Sequence, residues 1–395
     1  MKVESIRLKN FKTFQNVTLE KIQPYTVFVG ANGVGKSTLF DVFGFLRDCL
    51  RDNVRPTLAK RGGFKEVVSR GHEHEEIEIE LKLKMELPIG LRTVTYIVCI
   101  ENGGQGPVVS KEILRYRRFG NVGAPFEFIR FKNGQGDAIT NESAFEKGVA
   151  EVRETQKLES SDILAIKGLG QFQRFEAASR FRSLIENWHV SDFHIGAARG
   201  SQDAGYAEHL SAQGENLPLV TQFLYENHKA EFDKVLNAMA RRVPGVTNVE
   251  AQATQDGRVI LKFSDGSFKD PFVSRYVSDG TIKMFAYLVL LYDPKPHPLL
   301  CVEEPENQLY PSLLGELSEE FSEYAERGGQ VFVSTHSPDF LNHVGLDNIF
   351  ILSKKNGFTS VRKASDDENL ISLVKAGDLP GALWRQKLFD GVDPS

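Results

Sequence analysis

The sequence predicts an α/β protein in which a mostly parallel core sheet carries an antiparallel β lobe and a helical insertion. An apolar β-branched run, Val27-Phe28-Val29, enters a glycine-rich loop, and the loop opens into an amphipathic helix. Ile77 to Leu87 alternates strictly between apolar and charged residues, the pattern of a strand with one wet face in an antiparallel sheet. The last third spaces short apolar runs (Leu299 to Val302, Gln330 to Ser334, Asn348 to Ser353) with helical stretches between them, as short parallel strands do.

The elements follow in order. Val3 to Leu8 alternates and suggests an opening strand, Asn10 to Phe14 a turn, and Val17 to Leu19 a second strand, with Pro24 before the Val27 run. The helix from Ser37 carries Phe40, Phe43, Phe45, Leu46 and Leu50 inward, and Pro56 marks a break beyond it. Thr93 to Glu101 answers Ile77 to Leu87 across a Pro88–Gly90 turn, and Val109 to Arg118 and Phe126 to Lys132 read as further strands. From Asn141 to Asn187 the pattern turns helical, with Phe172, Phe175, Phe181 and Leu184 as a core-facing stripe. Leu217 to Val243 reads as one helix ended by Pro244-Gly245. Strands resume at Val246 to Gln252 and Val259 to Phe263, and Thr281 to Leu291 and Pro311 to Glu326 read as helices. No heptad array is long enough for a coiled-coil arm.

At 395 residues the chain suits one enlarged domain or two. Its 41% hydrophobic and 26% charged content describes an ordinary globular protein with ample core. A net charge of −5 argues against a chain that binds nucleic acid over its whole surface. Cys49, Cys99 and Cys301 are scattered, without metal or disulfide spacing, which fits a reducing compartment. The N-terminus is no signal peptide and no apolar run reaches membrane-spanning length, so a cytoplasmic location without membrane contact is expected.

Gly30 to Ser37, Gly-Ala-Asn-Gly-Val-Gly-Lys-Ser, matches the phosphate-binding P-loop pattern at every fixed position. Glycines let the backbone curl and aim several N–H groups at one anion, beside the positive end of the following helix. Asn32, Gly33, Gly35, Lys36, Ser37 and Thr38 are the candidate phosphate contacts, with Lys36 reaching the terminal phosphates and Ser37 a Mg²⁺ ligand. Leu299 to Val302 ends in Glu303-Glu304-Pro305-Glu306, so a buried strand delivers Glu303 toward the metal and Glu304 toward an attacking water as general base. The alternative is a solvated acidic loop. His336 closes the run Val331 to Thr335 and is placed to meet a terminal phosphate or the water, where a lone histidine would more often be structural. Ser278, Asp279 and Gly280 open the Thr281 helix and could form a second anion site, or merely cap the helix.

In this order the motifs resemble the ABC-type ATPase heads of the SMC, RecF and OLD group, and the fold implied is a P-loop ABC-type ATPase head. Ile6 to Lys12 resembles that group's first strand, and Glu303 to Pro311 resembles the Walker B and D-loop of stand-alone OLD-like ATPases. Tyr310 stands where that group usually has His, Glu303 where Asp is commoner, and Ser278-Asp279-Gly280 replaces the transporters' Ser-Gly-Gly. The middle third is matched only by Arg199 and Gly214 to Leu217. The resemblance implies residues 1–140 as the N-terminal part of the head with P-loop and β lobe, and 141–245 as a helical insertion. Residues 246–395 would be its C-terminal part, with signature, Walker B and switch His.

It further implies ATP and Mg²⁺ as cofactors and a homodimer, or a higher even-numbered oligomer, of heads. Ser278, Asp279 and Gly280 of one chain would close on the ATP held by Lys36 and Ser37 of the other, with Glu304 and His336 catalytic. Stand-alone members resemble the ATPase subunit of PARIS-like anti-phage systems, which implies a sensor or scaffold working with a separate TOPRIM-type nuclease. A RecF-like clamp on duplex DNA is the alternative, through Lys111, Arg115, Tyr116, Arg117 and Arg118, or Arg51, Arg55, Lys60, Arg61 and Lys65. A third reading is a non-catalytic scaffold stabilised by ATP. The tail Asp378 to Trp384 is expected to be a packed terminal helix.

Overall fold

The structure is a computed structural model that describes residues 2–87, 90–117, 125–142, 144 and 149–389. Pro88 of the expected turn, Arg118, Glu146 and Lys147 lie outside the described residues. In chain order the first strands are β1 (Lys2–Phe11), β2 (Phe14–Leu19), β3 (Tyr25–Val29), β4 (Ile77–Leu87), β5 (Gly90–Gly103), β6 (Gly106–Tyr116), β7 (Phe126–Lys132), β8 (Gln135–Ile139) and β9 (Arg153–Lys157). All but β3 form one antiparallel sheet, ordered β2-β1-β4-β5-β6-β7-β8-β9. The alternation of β4 is its mechanism: Ile77, Ile79, Leu81, Leu83 and Met85 point inward while the charged residues between them line the other face.

The later strands are β10 (His189–Ser191), β11 (Gln202–Asp203), β12 (Val246–Ala253), β13 (Arg258–Asp265), β14 (Phe272–Val273), β15 (Leu300–Glu303), β16 (Val331–Thr335), β17 (Ile349–Lys355) and β18 (Phe358–Lys363). The core sheet has the order β10-β15-β16-β3-β17-β18, parallel except for the β17–β18 hairpin. Strands β11 to β14 make a small separate antiparallel sheet.

All five residues of β3 are buried, because both faces of the core sheet are covered. Phe28 points to one face and meets Phe40, Phe332 and Phe350 at ring-centroid distances of 5.5 to 5.9 Å. Phe40 belongs to the helix Lys36–Asp52, which is packed into the same apolar cluster as the inner face of the antiparallel sheet. Val27 and Val29 point to the other face, into a second cluster with the helices Asp279–Leu291 and Ser312–Glu326. Each such fully buried side chain contributes about 1.5–3 kcal/mol, so alternation along one strand joins the two halves of the molecule. The buried Gln330 side chain adds a polar clasp, accepting from Val3 N–H (2.7 Å) and donating to Val3 carbonyl (2.9 Å).

Some expected elements differ. Leu217 to Val243 is two helices, Leu217–Asn227 and Lys229–Arg242, broken at His228 (φ −139°, ψ 53°). Asn227 closes the first by donating from its side chain to the Phe223 carbonyl (3.2 Å). Within 141–187, Ala165–Leu169 and Glu176–Glu186 are helices, but Arg153–Lys157 is a strand, because it pairs with β8 instead. Phe175, Phe181 and Leu184 are buried, but Phe172 falls in the turn between those helices and is 55% exposed. The tail does form a helix, Pro380–Arg385, with Leu383 buried. Gly381 sits so close to Pro338 that a Cβ there would lie 1.8 Å from the Pro338 carbonyl oxygen.

One buried carboxyl makes stability depend on pH. Glu112 accepts from Tyr96 OH (3.1 Å), Ile166 N–H (3.0 Å) and Ala165 N–H, yet burial dominates and pushes it up to about 7. A carboxyl raised on folding favours the folded state fully below its unfolded value near 4.5, and that contribution is lost as pH rises through about 7. Denaturant unfolding should therefore show wild type losing stability relative to Glu112→Gln between pH 4.5 and 7.5, by on the order of 3 kcal/mol. A pH-independent difference would mean that Glu112 folds in its ionised form.

Candidate active site

Neighbouring parallel strands end at one edge of the core sheet. The register sets Val29 beside Thr335, and Ser334 beside Glu303. The segments leaving those ends, the P-loop, Glu304 onward, and His336, therefore meet.

The P-loop needs its glycines for room. Gly33 and Gly35 have φ of +78° and +105°. A Cβ on Gly35 would lie 2.7 Å from Thr359 Oγ1 and 2.8 Å from Thr13 Oγ1. Asn32 and Gly33 are exposed at the tip, and Thr38 is half-buried in the first turn of the helix. Lys36 is 6% exposed, and its ammonium donates to the carbonyls of Gly30 (2.8 Å) and Ala31 (3.2 Å). Burial holds its pKa below the usual lysine value, against the opposing pull of Glu304, Glu306 and Glu303. The Ser37 hydroxyl donates to Glu303 Oε2. Glu303 is raised, first by burial and then by Asp192, Glu304 and Asp41, with the Ser37 hydrogen bond acting the other way.

Glu304 has a left-handed backbone (φ +40°), a state that costs a non-glycine residue about 1–3 kcal/mol. Its N–H donates to Ser334 carbonyl (2.9 Å), which extends the parallel ladder one residue past β15. Lys283, buried in the helix Asp279–Leu291, braces the turn by donating to Asn307 carbonyl (2.7 Å). Burial pulls Lys283 down to about 8, opposed by Glu306, Asp192 and Glu304. The Glu304 carboxylate accepts from Asn307 Nδ2 (3.1 Å) and lies 3.4 Å from His336 Nδ1. Glu306 Oε1 accepts from Thr335 Oγ1 (2.7 Å) and from His336 N–H (2.9 Å), fixing the end of β16.

Ser278 caps the helix Asp279–Leu291 by accepting from Thr281 N–H (3.3 Å), and Asp279 pairs with Arg199. Gly280 abuts the turn after Glu304, where a Cβ would lie 3.0 Å from Gln308 carbonyl oxygen. Among the described residues, Ser278, Asp279 and Gly280 make no hydrogen bond or ion pair with the P-loop. Sequence reasoning gave no role to Lys283, Glu306 or Asp192. A single lysine inside the apolar run Ile282 to Leu291 was the available signal for the first, and a third carboxylate in Glu-Glu-Pro-Glu for the second. Asp192 follows β10, a strand too short to be read.

The donor set fits a nucleotide with Mg²⁺. A hydroxyl and a carboxylate, already bonded to each other, are hard oxygen ligands. Exposed glycine backbone and a buried ammonium beside them suit phosphate oxygens.

Residues 25–342 match the family model described as "AAA domain, putative AbiEii toxin, Type IV TA system". The chain belongs to this family. No curated protein sequence matches it significantly. Among solved structures, an SMC head bound to the C-winged helix domain of ScpA superposes with a TM-score of 0.54 at 14% identity, covering 92% of this chain and 98% of that one. The fold of this AAA-domain chain is thus that of an SMC-type ATPase head. An SMC head from Thermotoga maritima (TM-score 0.47, 13% identity, 92% and 99% covered) is also similar. So is one from Pyrococcus furiosus, with an extended coiled coil and bound to the C-terminal domain of ScpA (0.48, 13%, 94% and 99%).

In this family member the basic stretches are partly engaged elsewhere. Lys60 pairs with Asp52, Arg61 bridges Asp41 and Asp48, and Arg55 donates to Pro107 carbonyl. Tyr116, expected among surface cations, is 2% exposed and stacks on Phe128 because β6 turns that side chain into the lobe core. Tyr310 is 74% exposed. All three cysteines are buried and free, and no helix among the described residues is long and apolar enough to cross a membrane.

Proposed function

We propose that the chain binds and hydrolyses ATP with Mg²⁺ at a site completed by a second copy, as sensor or scaffold of an anti-phage defence complex with a separate TOPRIM-type nuclease. The observation that carries this reading is the convergence of Lys36, the Ser37–Glu303 pair, Glu304 and His336 on one sheet edge, while Ser278, Asp279 and Gly280 stand free of their own P-loop. Backbone N–H groups from Asn32 to Thr38 and the Lys36 ammonium hold the phosphates. Ser37 and Glu303 hold the metal, which when bound offsets charge on the phosphate oxygens. Glu304 takes a proton from water, and His336, anchored through its own N–H on Glu306, orients that water. Ser278 and Gly280 are offered to the partner copy's nucleotide, with Arg199 holding Asp279 aside.

The defence role is supported by the family description, a toxin of a toxin–antitoxin system. The ScpA-bound SMC head supports heads of this fold docking a second protein. The duplex-clamping alternative has less support, since Lys60, Arg61 and Tyr116 are occupied within the chain.

A mixing experiment tests the composite site. Lys36→Ala and Ser278→Arg chains should each be inactive alone, and their mixture should regain turnover, because a heterodimer rebuilds one intact site. No regain, with mixed dimers present by native mass measurement, would refute the shared site. Salt-sensitive binding of duplex DNA by the isolated chain would instead favour the clamp.

A further inference from the structure

A second cluster of ligand-type side chains lies at the opposite edge of the core sheet from the phosphate site. His209, Asp293 and His297 bring their ligand atoms within 4.8 Å of one another. They come from two segments, His209 from one and Asp293 and His297 from the loop that joins the helix Asp279–Leu291 to β15. His209 precedes the helix Leu217–Asn227, Asp293 follows the helix Asp279–Leu291, and His297 precedes β15. His209 and His297 line a cavity of about 720 Å³ bounded also by Arg180, Asn187 and Lys295.

The hydrogen bonding around them is that of a ligand set. His297 Nδ1 lies 3.1 Å from the Asn187 carbonyl oxygen, which can only accept, so Nδ1 carries the proton and Nε2 the lone pair. That Nε2 is buried and has no hydrogen-bond partner, in a residue only 9% exposed. A buried ring nitrogen left without a partner calls for an explanation, and a backbone-oriented imidazole with its second nitrogen bare is how metal-binding histidines are held. Asp293 Oδ1 accepts from Lys295 N–H (2.8 Å), and Oδ2 lies 2.7 Å from His209 Nδ1, so this carboxylate is oriented as well. His189 stacks on His297 (ring centroids 4.6 Å) and limits its rotation.

We propose that His209, Asp293 and His297 bind one borderline divalent ion of the Zn²⁺ class, leaving a fourth position toward the cavity. Two imidazoles and one carboxylate are the donor types such an ion takes, and the set is too rich in nitrogen for Mg²⁺ or Ca²⁺. The ion would replace the His209–Asp293 hydrogen bond with two ligand bonds and use the lone pair of His297. It would tie the segment carrying His209 to the loop that joins the Ser278-capped helix to β15, whose other end carries Glu303.

The probe is Co²⁺, which reports ligand geometry by its visible absorption, added to the chelator-treated full chain without nucleotide. Binding at the phosphate site is separated by the Ser37→Ala/Glu303→Gln double variant, which leaves the second cluster intact. Wild type and that double variant should both take up one equivalent with a low-coordinate spectrum, and Zn²⁺ should displace it. His209→Ala changes a partly exposed residue and should keep its fold by circular dichroism while weakening uptake more than about tenfold. His297→Gln should do the same. Absence of uptake by the double variant, or equal uptake by wild type and a folded His209→Ala chain, would overturn the proposal.

Discussion

A Glu304→Gln chain is expected to bind ATP and fail to turn it over, with kcat about 10²–10⁴-fold below wild type. The amide keeps the shape of the side chain, so the left-handed turn, its bond to Ser334 and the Lys283 brace should survive. What is lost is a carboxylate poised at the strand end beside His336, whereas Glu306, equally near, is already engaged by Thr335 and the His336 N–H. If the nucleotide is shared between two copies as proposed, ATP should then hold the variant as a closed dimer, since no step releases it. Steady-state phosphate release and light scattering with ATP check this together. Equal turnover by the two proteins would remove Glu304 from the mechanism. If neither protein hydrolyses ATP while both bind it, the nucleotide is a structural element of the scaffold.

Lys36→Ala should abolish useful binding instead, weakening ATP by about 2–5 kcal/mol in calorimetry, as truncation of a buried charged contact does. The ammonium is the cation buried between the P-loop carbonyls and the carboxylates of Glu303, Glu304 and Glu306. Without it those carboxylates face an anionic ligand with one fewer positive charge among them, so the loss should exceed that of one hydrogen bond. Lys36→Arg should rescue little, because a planar guanidinium does not fit a pocket closed by Gly30 and Ala31.

The parts of the site readable from sequence were those written in one local stretch. Val27 to Phe40 contains its strand, its loop and its helix start, and each is stabilised by contacts the local pattern implies. Leu299 to Glu304 and Val331 to His336 were readable for the same reason, as was β4 from its alternation. What escaped depends on tertiary pairing. Three residues of β10 carry no periodicity, yet they place Asp192 beside Glu303. Arg153–Lys157 is polar and charged, and becomes a strand only because β8 offers it an edge. His228 breaks a helix that apolar spacing alone would continue. Lys283 looks like an intruder in an apolar helix until the turn it braces is folded against it.

The clasp between Val3 and Gln330 spans 327 positions of chain, and β3 sits between β16 and β17. On the ribosome, β3 therefore emerges long before the strands that flank it exist. At about 5–20 residues per second the wait is roughly 15–60 s, during which a strand buried along its whole length in the finished fold lacks both neighbours. Its first opportunity to fold comes only once β16 and β17 have been made, so the nascent protein needs chaperone protection through that interval. For the same reason, premature termination anywhere before Val331 leaves no half able to assemble the phosphate site, and such fragments are substrates for proteolysis rather than for ATP.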